Sequence, residues 1–460
     1  MIGGERVKRV LMVAYYFPPV AASGSMRPLA FCRNLPTFGW RPQVLTTTPD
    51  CIYPAHPLDT NLGQRVPETV FVTRIPYRDR LQELLLCREK IKSVLWGSSS
   101  RDPIPDRSLA NQATSAEKTT VTRNPLKDLL LDWAFAYPDR QCGWYRPALK
   151  HWRKISKNGT PDVIFATGGP WTSFLIGAAL AQRFDRPLVI DYRDPWTCNP
   201  YYSFSSRALT QKSQTLEHRI CKSAAHVIAN TQELRDRLLM QYPALKDRCS
   251  CIPNGFDREV FRPDAVIGKE YVSVIGARYE LCHFGTVYGK RSPRMLLQAV
   301  YELSRDGHLK SDDIRLRFVG SWDTTDQVCG RYADELEKTG FLRREPPVPH
   351  RLCLREMQRA SVLLVLQPES PLQVPAKIYE YIATGRPLLL IGGEGATANL
   401  VERYSLGVRT SNQVSDIKHL LRELIDGKRS FVAPTGSMVN QFDYHTLTGK
   451  LAAVLEGVSA

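Results

Sequence analysis

No stretch of the chain approaches the roughly eighteen consecutive apolar residues that a membrane-spanning helix needs. Nor is there a block of five or more consecutive basic residues to form a polybasic arm. Cysteine pairs at metal-binding spacing are missing too: the 11 cysteines are scattered, and only Cys249 and Cys251 stand close together. This indicates neither a zinc site nor a disulfide framework, and a reducing cytoplasm is the simplest setting. The amino terminus, MIGGERVKRVLMVAYYF, has a short apolar run that ends at Pro18 and Pro19 without a small-residue cleavage site, so it reads as a first strand and not an export signal. The histidines fall at no spacing that suggests a nucleophilic triad, and no nucleic-acid-binding motif is evident.

What is present points to a folded, two-domain protein. A length of 460 residues exceeds what one hydrophobic core usually organises, and 43% hydrophobic content with 8 Trp excludes a largely disordered chain. Lys and Arg number 62 against 46 Asp and Glu, a net charge of +16, which favours an anionic partner: phosphates, nucleic acid or an acidic membrane surface. Short apolar runs at Val7–Ala14, Pro42–Thr47, Val70–Ile75, Asp162–Thr167, Pro187–Asp191, His226–Ala229 and Cys249–Ile252 read as strands separated by helical patterns. A second set begins near Leu281, with Leu281–Gly285, Arg315–Val319, Ser361–Leu366 and Leu388–Ile391, alternating with helices such as Pro293–Ser304 and Leu352–Ala360. Such alternation predicts an α/β fold of two Rossmann-like, doubly wound parallel sheets. The expected domains are 1–262 and 273–435, with a hinge in Arg258–Val272, a flexible insertion about 96–122, and an amphipathic tail helix over 436–460 carrying Leu447, Leu451, Val454 and Leu455.

Three segments carry candidate chemistry. In VPAKIYEYIATGRP, Pro375 suits a first helical turn and Gly385 a stop; Ile378 and Ile382 face inward, leaving Lys377, Glu380 and Thr384 as a separate stripe. Gly285 and Thr286 open a loop that reaches Lys290 and Arg291 just before a helix, where backbone amides and a guanidinium suit phosphate oxygens. The segment DYRDPW puts Asp191, Arg193 and Asp194 at the carboxyl end of a buried strand, where α/β enzymes present catalytic groups. Each has an ordinary alternative: a solvated stripe, a basic helix start, and a structural Asp–Arg pair.

Together VLMVAYYFPPVAASGSMRPLA, VIDYRDPW, HVIANTQELRDRLL, IPNGFDREVF, HFGTVYGKRSPRMLLQAV and VPAKIYEYIATGRPLLL resemble, in their order and their split over two domains, the family 4 retaining glycosyltransferases of the GT-B fold. The resemblance implies two domains facing a cleft and a carboxyl-terminal helix packing back toward the first. It implies donor contacts from Glu380, Lys377, Arg291, Lys290, Gly285, Thr286, Gly24, Ser25, His350 and Glu369, with Asp194, then Arg193 and Asp191, in catalytic or orienting roles. Glu380 matches the second of the family's paired glutamates, whose carboxylate accepts from both ribose hydroxyls. Two departures stand out. Leu372 occupies the place of the first glutamate, with Glu369 and Gln373 nearby, and Thr286 and Arg291 stand where the family usually has Arg and then Lys.

The expected function is transfer of a sugar from a nucleoside-diphosphate sugar to a hydroxyl acceptor, with retention and without a metal or other cofactor, in cell-surface polysaccharide, lipopolysaccharide or glycolipid assembly. A lipid-linked acceptor would bring the protein to the cytoplasmic face of a membrane. The stretch Pro125–Lys157, with Leu126, Leu129, Leu130, Leu131, Trp133 and Phe135 beside Arg146, Lys150, Arg153 and Lys154, is either a membrane-facing surface or first-domain core. The rival readings are a GT-B sugar-nucleotide epimerase and an inactive GT-B protein that binds membrane or nucleic acid, although no nucleic-acid partner is expected.

Overall fold

The computed structural model describes residues 7–52, 55–79, 137–157, 159–199, 206–261, 277–288, 291–323, 325–367 and 371–459. The expected insertion at 96–122, the leucine- and tryptophan-bearing part of 125–136, Lys290 and Glu369 lie outside them. Two compact units emerge, Met1–Pro253 with Leu447–Ala460, and Asn254–Thr446. The chain therefore passes between units at Pro253, ahead of the expected hinge, and Asn254–Phe261 count with the second unit. Phe256 is the reason: it is buried, and it exchanges backbone hydrogen bonds with Phe442 and Tyr444 of its own unit.

The first unit is built on seven strands, β1 (Lys8–Ala14), β2 (Trp40–Thr47), β3 (Phe71–Ile75), β4 (Val163–Thr167), β5 (Leu188–Tyr192), β6 (His226–Ala229) and β7 (Cys249–Cys251). They pair in parallel in the order β3-β2-β1-β4-β5-β6-β7. Val163–Thr167 and Leu188–Tyr192 are buried at every position, which is why these runs are continuously apolar instead of alternating. The principal helices are α1 (Ser23–Asn34), α2 (Thr172–Phe184), α3 (Arg207–Ser223) and α4 (Gln232–Gln241). Side-chain caps start two of them: Ser206 accepts from the Leu209 amide, and Thr231 from the Leu234 amide. The strand order reverses between β1 and β4, so their carboxyl ends flank the place where open α/β sheets bind ligands.

The second unit repeats this plan. Its strands are β8 (Tyr279–Phe284), β9 (Val287–Tyr288), β10 (Ile314–Val319), β11 (Trp322–Asp323), β12 (Leu342–Glu345), β13 (Val362–Gln367), β14 (Leu388–Gly392) and β15 (Gly407–Thr410). Six form a parallel sheet in the order β12-β10-β8-β13-β14-β15, and β9 and β11 make a separate pair. Its principal helices are α5 (Arg294–Arg305), α6 (Gln327–Lys338), α7 (His350–Arg359), α8 (Ala376–Ala383), α9 (Ala396–Arg403) and α10 (Val414–Ile425); the tail helix α11 (Tyr444–Ser459) starts here and continues in the first unit. Both faces of the sheet are covered: Leu281, Leu364 and Leu389 join one apolar cluster, while Cys282, Leu363 and Leu388 join another. The reversal here lies between β8 and β13.

Edge strands β12 and β15, LRRE and GVRT, escape a reading based on apolar runs because edges tolerate and often use charge. The tail helix buries Leu447, Leu451 and Leu455, and Lys8 of β1 pairs with Glu456. Residues Leu447–Ala460 accordingly belong to the first unit, with only the start of α11 in the second.

A buried ion cluster braces the second sheet. Arg317 on β10 makes a two-pronged contact with Glu345 on β12, at 2.8 and 2.9 Å, and reaches Glu356 on α7 at 2.9 Å. Each partner is almost fully enclosed, and the two carboxylates hold the guanidinium pKa above its ordinary value against the opposing effect of burial. Removing the cation would leave the two buried carboxylates with only the more exposed Arg343, 2.9 Å from Glu345, and Arg359, 3.5 Å from Glu356. Replacing Arg317 with Ala is therefore expected to destabilise the protein by about 3–5 kcal/mol, read as a lower denaturant midpoint for the second unit's unfolding.

Candidate functional site

In the first unit the carboxyl ends of β1, β4 and β5 converge. Asp191, the last but one residue of β5, is fully buried and accepts from Arg27 at 2.7 and 3.0 Å and from the Thr167 hydroxyl at 2.9 Å. Arg27 lies on the buried face of α1 and also donates to the carbonyls of Ile252 and Pro253. Asp191, expected near the reacting groups, is thus consumed by an internal ion pair that ties α1 to the sheet. Two further candidates follow it in the chain.

They are Arg193 and Asp194. Arg193 donates from Nε to the Gly168 carbonyl at 2.8 Å and from Nη2 to Gly169, while its guanidinium lies 5.9 Å from the Tyr16 ring. Burial pushes its pKa down, with Asp194 and Asp191 opposing that shift. The side chain of Asp194 is exposed, beside Arg193 at the sheet's carboxyl edge. The Arg193 guanidinium occupies the space over Gly24, which only a residue without a side chain leaves open. Gly24 and Ser25, expected as donor contacts, lie beside it: Ser25 is fully buried, its amide donates to the Ala22 carbonyl at 2.9 Å, and its Oγ has no hydrogen-bond partner. The helix start therefore holds the protein's own cation.

In the second unit the expected donor residues gather at the reversal of strand order. Gly285 follows β8 with φ of 145°, a backbone region that side chains resist, and its carbonyl lies against Gly320, itself at φ 148°. Across the reversal, α8 brings Lys377 so close that its chain would touch a side chain grafted onto Gly285. Thr286 is exposed and Arg291 half-buried. Glu380 lies one turn further along α8. Its Oε1 is 2.9 Å from Nε2 of His350 at the start of α7, and its Oε2 is buried without a hydrogen-bond partner. Leu372 stands part-exposed ahead of α8, with no carboxylate of its own to offer.

His283 was not anticipated. Its Nδ1 lies 3.1 Å from the Leu364 carbonyl, and Nε2 sits beside Gly285. Burial, aided by the nearby cations Lys377 and Arg291, drives its pKa down to about 4, so the ring is neutral at pH 7. The sequence signal was the His–Phe–Gly run at the end of a buried strand. Among the described residues no group of three or more His, Cys, Asp or Glu could hold a metal ion, and no helix is long and apolar enough to cross a membrane.

Residues 122–260 match the model of Glycosyltransferase Family 4. A D-inositol 3-phosphate glycosyltransferase of Catenulispora acidiphila is 26% identical over 215 residues, 45% of this chain and 50% of that protein. A second, from Geodermatophilus obscurus, is 23% identical over 42% of this chain and 45% of its own length, so the chain matches about half the length of these curated relatives. Among solved structures, Anabaena HepE in complex with UDP aligns over 98% of this chain and 100% of its own with a TM-score of 0.60 at 14% identity. Sucrose-phosphate synthase from Thermosynechococcus elongatus aligns over 98% of both chains at 13% identity with a TM-score of 0.56. The resemblance to family 4 glycosyltransferases is borne out, and the two parallel-sheet units are those of the GT-B fold.

The state of His283 is open to direct test. Its folded pKa lies below the ordinary value of about 6.5, so the unfolded chain binds the extra proton first and stability falls as pH drops from about 6.5 toward 4. NMR titration of the imidazole should place its midpoint below about 5, and His283→Asn should remove that share of the acid destabilisation. An anion bound beside Lys377 should raise the midpoint.

Proposed function

We propose that the chain is a glycosyltransferase that moves a sugar from a nucleoside-diphosphate donor to a hydroxyl acceptor, with retention of anomeric configuration and without a metal ion. The observation that carries the reading is Glu380: a carboxylate with one oxygen on His350 and a second that is buried and unpartnered, next to the cations at the second unit's strand reversal. Leaving such an acceptor unmet is costly, and a pair of vicinal ribose hydroxyls would meet it. The named relatives are glycosyltransferases and the HepE structure holds UDP, which agrees with a nucleotide-sugar donor.

The chemistry follows from charge. As the glycosidic bond to phosphate breaks, negative charge grows on the departing diphosphate, and Lys377 and Arg291 supply fixed positive charge where it grows. The tight backbone at Gly285 lets the chain approach a phosphate closely, and neutral His283 adds a hydrogen-bonding edge without a competing charge. The leaving phosphate takes the acceptor's proton, so no protein nucleophile is required. In the first unit, Asp194 orients the sugar or its acceptor, and Arg193 sets the local potential.

The family resemblance supports a role in assembly of a cell-surface polysaccharide, lipopolysaccharide or glycolipid, carried out in the cytoplasm. The net charge of +16 suits an acceptor displayed on an anionic lipid surface.

UDP or GDP should raise the melting temperature, and Glu380→Ala should abolish the rise. Lys377→Ala should weaken nucleotide binding roughly 10- to 100-fold, as expected for loss of a charged hydrogen bond of about 1.5–3 kcal/mol. Release of nucleotide from a donor sugar should persist in EDTA. Absence of a thermal response to every nucleoside diphosphate would overturn the reading.

A further inference from the structure

Only a short stretch of chain separates Tyr192, the last residue of β5, from Thr197, and it carries Arg193 and Asp194. Both flanking side chains end on the same buried carboxyl group, that of Glu217 on α3. The Tyr192 hydroxyl donates to Oε1 at 3.0 Å, and the Thr197 hydroxyl donates to Oε2. Tyr242, just beyond α4, donates to Oε2 at 3.0 Å, and the Gln241 amide donates to both the Thr197 and Tyr242 hydroxyls, at 3.2 and 2.8 Å. Glu217 is fully enclosed and has no cation among these partners. Such a group is costly to bury, and three hydroxyl donors offset the cost.

The rest of the stretch is equally restrained. Trp196, 2% exposed, stacks on Trp171 with ring centroids 5.2 Å apart and planes 8° from parallel. Asn230 donates to the Arg193 carbonyl, and Arg193 itself is held by Gly168 and Gly169. Asp194 is the one exposed residue in a stretch fixed on each side. A carboxyl inside the domain thereby grips both ends of the segment that presents Asp194.

We infer that Glu217 is a positioning residue for the transfer reaction: by accepting from Tyr192 and Thr197 together, it sets the backbone that aims Asp194 and Arg193. The inference rests on the proposed glycosyltransferase reading. Glu217 touches neither donor nor acceptor, so its loss should slow the chemical step and spare nucleotide binding, which belongs to the second unit. The same geometry assigns Thr197 and Tyr192 as its partners, with Thr197 the better probe because Tyr192 also fills core space.

The test uses the full-length protein and four forms: wild type, Glu217→Gln, Thr197→Val and the double variant. Glu217→Gln keeps the volume and replaces one acceptor oxygen with a donor, and Thr197→Val removes a hydroxyl at nearly constant shape. Three quantities are measured: the thermal shift with UDP, kcat and KM for nucleotide release from UDP-glucose, and hydrogen exchange of peptides covering residues 192–199. The expected result is an unchanged UDP shift, kcat lower by about 10- to 100-fold with KM within about twofold, and faster exchange in 192–199 for both single variants. The double variant should lose no more than the worse single one, because both break one contact. Wild-type kcat and exchange in both single variants would overturn the inference. Absence of a thermal shift in wild type with UDP, GDP and every other nucleoside diphosphate would instead overturn the glycosyltransferase reading, and exchange in 192–199 would still decide whether Glu217 restrains that segment. If Glu217→Gln fails to fold, Thr197→Val alone decides the same question.

Discussion

The contact on which the first unit's functional edge depends is the buried pair between Arg27 and Asp191. An isolated charge in that interior would cost several kcal/mol to desolvate, so each side chain is tolerable only while the other is in place. The pair is met almost completely: two oxygens take the guanidinium and the Thr167 hydroxyl, and the remaining guanidinium hydrogens go to the Ile252 and Pro253 carbonyls. Four pieces of chain are joined by it, namely α1, the ends of β4 and β5, and the segment after β7. Such a junction specifies geometry more than it adds stability, because an apolar replacement of both partners could pack as well. Asp194 can be exposed and still precisely placed since its strand ends in this clamp on one side and on Glu217 on the other.

The second unit reaches a comparable rigidity by different means. Arg317 with Glu345 and Glu356 locks β10, β12 and α7. The Tyr381 hydroxyl, on the inward face of α8, accepts from the Phe284 amide at 2.8 Å. Since α8 also carries Lys377 and Glu380, this bond fixes the helix to the end of β8, immediately before Gly285. The spacing between the tight glycine backbone and the two charged side chains is thus set by a buried tyrosine and not by the charged groups themselves. Ile378 and Ile382 seat the same face of the helix in the core, which leaves Lys377 and Glu380 to the other.

Much of this was legible in the sequence because parallel strands covered on both faces must be apolar throughout. Runs such as SVLLVL and VLMVA announce themselves, whereas the charged edge strands LRRE and GVRT do not. Lys377 and Glu380 were legible for a related reason: helical spacing separates them from Ile378 and Ile382. Arg27 was harder, since an arginine within PLAF-like apolar surroundings reads as an interruption until its partner 164 residues away is known. Glu217 was harder still. Its helix looks polar and solvated in sequence, and only tertiary packing reveals that three hydroxyls from separate segments turn one of its charges inward. Asp191 shows the converse, a carboxylate in a catalytic-looking position whose bonding capacity is spent internally.

The two strand reversals, built alike, have been given opposite electrostatic uses. In the first unit the space at the helix start is filled by Arg193, whose guanidinium covers Gly24 and whose donors go to Gly168 and Gly169. A phosphate there would have to displace a cation already bonded to backbone carbonyls. In the second unit the glycine edge faces Lys377 and a histidine that burial keeps neutral, and an adjacent carboxylate oxygen lacks a partner. Repeating one topology thus yields one edge whose helix start is covered by its own arginine and one edge whose glycine backbone faces a lysine and an unpartnered carboxylate oxygen. The proposed nucleotide site at the second edge draws on both features: hydroxyl donors of a ribose would meet the unpartnered carboxylate oxygen, and phosphate oxygens would meet the nearby cations.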